Sequence, residues 1–79
     1  MRKLPLLIIE WDDVSSWSGW ENEVEVVEQC KPTRAIMVGW KIGVDKQNVF
    51  LATARSFEGE CNGRRTIPKG CIRKIRRLE

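Results

Sequence analysis

Two stretches hold the residues best suited to chemistry. The first, W-D-D-V-S-S-W-S-G-W from Trp11 to Trp20, places three of the chain's four tryptophans and two carboxylates within ten residues. The second, from Arg64 to Arg77, carries seven Lys and Arg side chains and no acidic one. Glu10, Asp12 and Asp13 form a carboxylate group that could meet Mg²⁺. A metal nuclease needs further acidic ligands and a lysine at a recognisable spacing, and nothing downstream supplies them. The alternative for Asp12 and Asp13 is to cap loop amides or to pair with an arginine. The sequence has no histidine, so no Ser-His or Cys-His pair can form. Cys30, Cys61 and Cys71 make no C-x-x-C pair, and zinc would need a carboxylate as its fourth ligand. Cys71 has Arg73 and Lys74 nearby to favour its thiolate, against a simpler place buried in a turn. The residues point to binding rather than catalysis, with no catalytic residue, metal or cofactor implied.

A binding role must then use the aromatic and basic side chains. Trp40 lies on the more apolar face of an alternating segment and Trp11 ends an apolar run, so both are expected in the core. Trp17 and Trp20 sit among serines, glycine and glutamates. Each either covers an open end of the core or stacks on a flat ligand such as a base; Trp20 could also staple a helix start. Arg64 and Arg65 follow Gly63 in a loop, where guanidinium and backbone donors can meet a phosphate together. Lys69 lies in the turn I-P-K-G-C. These five, Trp17, Trp20, Arg64, Arg65 and Lys69, are the candidate ligand-binding residues. Arg73, Lys74, Arg76 and Arg77 are candidate phosphate or nucleic-acid contacts, alternate ones facing opposite sides of a strand. The pattern is basic and aromatic, but it contains no Walker loop.

The elements that must position these residues are short. Leu4 to Trp11 reads as a buried strand, and Asp12 to Gly19 as a loop. Ser18 and Glu21 fit a capping box, which predicts a helix over 19–30 with Val24, Val27 and Cys30 as its apolar stripe; the competing reading takes E-V-E-V as strand alternation. Lys31-Pro32 stops the helix. Thr33 to Val44 alternates with period two and is expected as a strand burying Ile36, Val38, Trp40, Ile42 and Val44, with Gly39 and Gly43 inviting a bend or bulge. Asp45–Asn48 is a hairpin turn, and Val49 to Arg55 returns as a strand. S-F-E-G-E-C-N-G is a loop, Arg64 to Ile67 a short strand, and the proline turn leads by a 3₁₀ loop into a last strand.

Seventy-nine residues allow one domain with one thin core, so oligomerisation is a natural source of further stability. The net charge of +3 hides an asymmetry: residues 1–30 hold seven acidic and two basic side chains, residues 31–79 twelve basic and four acidic. The basic half favours a phosphate-bearing partner, and an acidic half of one copy meeting the basic half of another would favour self-assembly. Odd, unpatterned cysteines fit a reducing cytoplasm. The apolar run after Arg2 and Lys3 is short, contains Pro5 and lacks a small-residue cleavage site, so it reads as a strand rather than a signal peptide. No apolar run approaches the length of a membrane span.

The order of these features resembles a group of small proteins from bacteriophage and prophage genomes, most without an assigned role. The shared pattern is W-D-x-x-S-x-x-G-W, then V-G within a long strand, then I-P-K-G-C-I-R-K-I-R-R-L. Its sharpest matches are Trp11, Asp12, Ser15, Gly19 and Trp20, then Val38 and Gly39, then Ile67, Pro68, Gly70, Cys71, Ile72, Ile75 and Leu78. The residues themselves read as a mainly β fold with one short helix, a five-stranded small barrel or strongly bent antiparallel sheet. The resemblance implies a phage origin, and with it the host cytoplasm, and an SH3-like or Sm-like form of that barrel. It transfers no activity to particular residues. Together with the composition it leads to the expectation of a non-enzymatic binding protein, a homo-oligomer that sequesters a phosphorylated host alarm nucleotide. A nucleic-acid-binding barrel and a protein-binding inhibitor of a host enzyme are the alternatives.

Overall fold

The strand β1 (Leu6–Asp13) alternates in burial although its sequence is almost continuously apolar. Leu7, Ile9 and Trp11 point inward and are buried, while Glu10 and Asp12 share the opposite face. In the computed structural model, which describes residues 1–14, 19–29 and 31–78, β1 pairs on one side with β2 (Thr33–Val44). On its other side lies β7 (Ile72–Arg77). The strand β3 (Asn48–Ala52) returns along β2, and β6 (Arg65–Pro68) along β3. The result is a five-stranded antiparallel sheet in the order β6-β3-β2-β1-β7. Two short strands, β4 (Ala54–Arg55) and β5 (Cys61–Asn62), make a small separate ladder.

A 3₁₀ turn of only three residues, Lys69–Cys71, connects β6 to β7, the two edges of the sheet. In a flat sheet those edges would stand about 19 Å apart, four strand spacings of roughly 4.8 Å. Three 3₁₀ residues advance about 6 Å, so the sheet must roll until its edges approach. No backbone ladder joins β6 to β7, and the sheet is bent rather than closed. A side chain spans part of the gap: the Arg65 guanidinium lies over the Trp11 ring, 5.5 Å from its centroid.

The core inside the bend is Leu7, Ile9, Trp11, Val49, Leu51 and Ile67, with Ala35, Met37 and Ile72 packed against it. Pairing across β1 and β2 sets Trp11 opposite Ala35, Ile9 opposite Met37 and Leu7 opposite Gly39. Large residues on β1 therefore meet smaller or flexible ones on β2. Gly39 suits a tight spot beside β3, because a Cβ there would lie 3.0 Å from the Ala52 carbonyl oxygen. The expectation that Ile36, Val38 and Trp40 form the core side of β2 is overturned. Ile36 is 62% and Val38 46% exposed, and Trp40 is only half-buried. These residues lie on the outer face, opposite Glu10, Ile8 and Leu6 respectively.

The irregularities have local causes. The register between β1 and β7 slips between Glu10 and Trp11, whose partners are Lys74 and Ile72, so Arg73 is the extra residue of a bulge. A second slip lies between Lys41 and Gly43, near the glycines that invite one. At the hairpin, Asp45 Oδ1 accepts hydrogen bonds from the Gln47 and Asn48 amides at 2.8 and 2.6 Å, the side-chain mimic of a backbone turn. The predicted strand over Val49–Arg55 is divided at Thr53 into β3 and β4, and the loop S-F-E-G-E-C-N-G contributes β5.

The helix α1 runs Glu23–Gln29, shorter than the predicted 19–30. Gly19 has φ 134°, outside helical geometry. Asn22 caps the helix: its Oδ1 accepts from the amides of Val24 at 3.0 Å and Glu25 at 3.3 Å. The expectations for Ser15, Trp17, Ser18 and Cys30 fall on residues outside those described. The predicted stripe does not reach the core, since Val24 is 66% and Val27 79% exposed. α1 has no substantial contact with any strand. The radius of gyration is 15.6 Å, against about 12 Å for a compact chain of this length.

Candidate ligand surface

The bulge in β7 decides where the basic residues point. Because Arg73 is the extra residue, its Nε reaches Asp12 and donates to Oδ2 at 2.6 Å. Arg34, across β2, donates from Nε to Oδ1 at 3.3 Å. Asp12 is thus gripped from both neighbouring strands. The Arg73 hydrogen bond, seconded by Arg34, holds its carboxyl below the ordinary range. Of the two readings of Asp12, arginine pairing is the one found. Arg73 is committed to that pair, so its guanidinium ties β7 to β1.

Beyond the bulge the register sorts the remaining cations. Lys74 opposes Glu10 and Arg76 opposes Ile8, so both lie on the outer face. Arg77 opposes Leu7 and belongs to the other face. Two depressions result. One, about 110 Å³, is lined by Ile8, Glu10, Ile36, Lys74 and Arg76. The other, about 250 Å³ and open to solvent, is lined by Pro5, Leu7, Lys41, Ile75, Arg76 and Arg77. Three cations and three apolar residues form this second depression, with no carboxylate among them. Lys41 reaches it from β2 and Arg76 and Arg77 from β7, with β1 between. Among the described residues none of the three cations has a salt bridge.

The other predicted residues are dispersed. Arg65 is held over Trp11 and lies 4.0 Å from Asp13. Arg64 is exposed and has no salt bridge among the described residues. Lys69 starts the 3₁₀ turn; its amide donates to the Gln47 carbonyl at 2.7 Å. Its side-chain charge adds to the two turn amides that lower Asp45. Trp20 is fully exposed at 104%, with no ring contact to Arg64, Arg65 or Lys69 among the described residues. Of the nine predicted residues, Lys74 meets Arg76 in one depression, and Arg76 meets Arg77 in the other.

Lys41 and the outer apolar face escaped the sequence reading. Lys41 looked like the polar partner in an alternating strand. Only the pairing of β1 with both β2 and β7 reveals that it shares a depression with Arg77. Arg55, stacked 6.0 Å from the Trp40 centroid, likewise had no sequence signal. Comparison with protein-family models, curated proteins and solved structures finds no match. No helix among the described residues is long and apolar enough to cross a membrane.

Proposed function

We propose that the chain is a non-enzymatic binding protein for a phosphate-bearing ligand, and that the ligand is a nucleic-acid strand. The observation that carries this reading is the convergence of Lys41, Arg76 and Arg77 around the apolar residues Pro5, Leu7 and Ile75. Three cations supply phosphate contacts, and the apolar floor accepts a sugar or base face. A molecule to be sequestered needs a cavity of roughly 300–1,000 Å³ that buries most of it. An open depression of about 250 Å³ suits one unit of a chain that continues past it. Strand order and the 3₁₀ connection support a finer reading of the fold as an opened SH3-like or Sm-like barrel. The phage resemblance supplies the setting, the host cytoplasm.

The test is fluorescence anisotropy with a labelled single-stranded oligonucleotide across a salt series. Each phosphate contact contributes about 0.7 to the slope of log K against log salt. Lys41→Ala/Arg77→Ala should therefore lower that slope by about 1.4 and weaken binding for every sequence alike. Absence of binding at low salt, or an unchanged slope in the double variant, sinks the proposal.

A second reading, capture of a free phosphorylated nucleotide, draws on the full exposure of Trp20, which leaves its ring available for stacking. Saturable quenching of tryptophan fluorescence by a mononucleotide, lost in Trp20→Leu and insensitive to salt, would replace the first reading with this one.

A further inference from the structure

The arm that carries α1 leaves the sheet at Asp13 and re-enters at Thr33, two residues paired with each other. Both ends of residues 14–32 are thus anchored at one end of the β1–β2 ladder. Among the described residues the arm's helix makes no extensive contact with any strand, and the molecule measures 51 Å along its longest axis against 24 and 21 Å across. The segment from Trp20 to Glu28 holds four glutamates and no basic residue. Of its apolar side chains, Trp20, Val24 and Val27 are 104, 66 and 79% exposed, and Val26 is half-buried. Among the described residues no glutamate of this acidic, apolar arm has a salt bridge.

The outer face has the complementary composition. Ile8, Ile36 and Val38 form an apolar strip across β1 and β2. Lys74 and Arg76 rim that strip on the β7 side, and the depression of about 110 Å³ lies between them. The face carries Glu10, which stands opposite Lys74. Apolar side chains on the arm match the strip in character, and Glu23, Glu25 and Glu28 match the rim in charge.

We propose that the occupant of this outer face is the α1 arm of a second copy of the chain. Val24 and Val27 sit on Ile8, Ile36 and Val38, and the arm's glutamates face Lys74 and Arg76. Each copy has one arm and one face, so reciprocal docking closes a two-fold dimer with two such contacts. The exchange draws on Arg76, which also lines the nucleic-acid depression, but its test does not depend on that reading. It leaves Lys41 and Arg77 uncovered and is measured without nucleic acid.

A charge-exchange experiment tests it by sedimentation equilibrium. The wild-type chain is expected at about twice its 9.2 kDa. Glu23→Lys/Glu25→Lys/Glu28→Lys sets a basic arm against a basic face, and Lys74→Glu/Arg76→Glu sets an acidic arm against an acidic face. Each variant alone should be monomeric. Mixed in equal amounts they should form a heterodimer, because both contacts then join opposite charges. All five positions are exposed. Val27→Gln, which leaves charge untouched, should weaken the wild-type dimer about tenfold or more. A wild-type monomer up to the solubility limit overturns the proposal. So does either charge variant remaining dimeric alone, or a mixture that stays monomeric.

Discussion

Asp12 and Asp45 show how single carboxylates organise this fold without entering a core. Asp12 joins β1 to its two neighbours, β7 through Arg73 and β2 through Arg34, and Asp45 shapes the β2–β3 turn through two amides. Hydrogen bonding to the charged form lowers both carboxyl groups: the Arg73 side chain leads at Asp12 and the Gln47 amide at Asp45. A carboxyl depressed in the folded state adds stability above its unfolded value of about 3.9, and that contribution disappears as pH falls through the folded value. The urea midpoint should therefore drop as pH is lowered below about 4. Asp45→Asn keeps a side-chain oxygen but cannot titrate, so its acid loss should be shallower than that of the wild type. Parallel acid limbs for the two proteins would show that Asp45 is not depressed.

At the scale of elements, β2 is the instructive case. Period-two alternation identified the strand, and its bounds, Thr33–Val44, are those found. Hydrophobicity along the same alternation points to the wrong set as the inner one, since one set is large and apolar and the other mixes Ala, Met and Gly with lysine. The choice is made by β1, which fills the interior with Leu7, Ile9 and Trp11 and leaves room only for Ala35, Met37 and Gly39 opposite. For β1 the apolar run predicts a buried strand ending at Trp11 with Asp12 in a loop; the structure carries the strand on to Asp13 and sets Glu10 and Asp12 on its outer face. Substitutions measure the assignment directly. Ile9→Ala, at a position with no exposure, should cost about 2–5 kcal/mol in chemical unfolding. Ile36→Thr should change monomer stability by no more than about 0.5 kcal/mol. A large loss from Ile36→Thr in the monomeric charge variants would return that face to the core.

The shape of the whole molecule follows from the arm standing off the sheet. Small-angle scattering of the monomeric Glu23→Lys/Glu25→Lys/Glu28→Lys variant should give a radius of gyration near 15.6 Å. A value near the compact 12 Å would mean that the arm folds onto its own sheet. At this scale the candidate site also takes form, because no element contains it: Lys41 comes from β2, Arg76 and Arg77 from β7, and Leu7 from the strand between.

The sequence by itself determined the mainly β class, the turn at Asp45–Asn48 and the closing 3₁₀ turn, and it left the helix and the pairing of Asp12 with arginine each as one of two options. These depend on local rules, where backbone preferences, alternation and short-range hydrogen bonds act over a few residues. Tertiary structure decided the rest. The register across β1, with Arg73 inserted as a bulge, sends Arg73 to Asp12, Lys74 and Arg76 outward and Arg77 to the other face. A one-residue slip reverses every side chain beyond it, and only the competition of all strands for one small interior selects the register. That same competition leaves Ile36 and Val38 outside, where no local pattern could have put them.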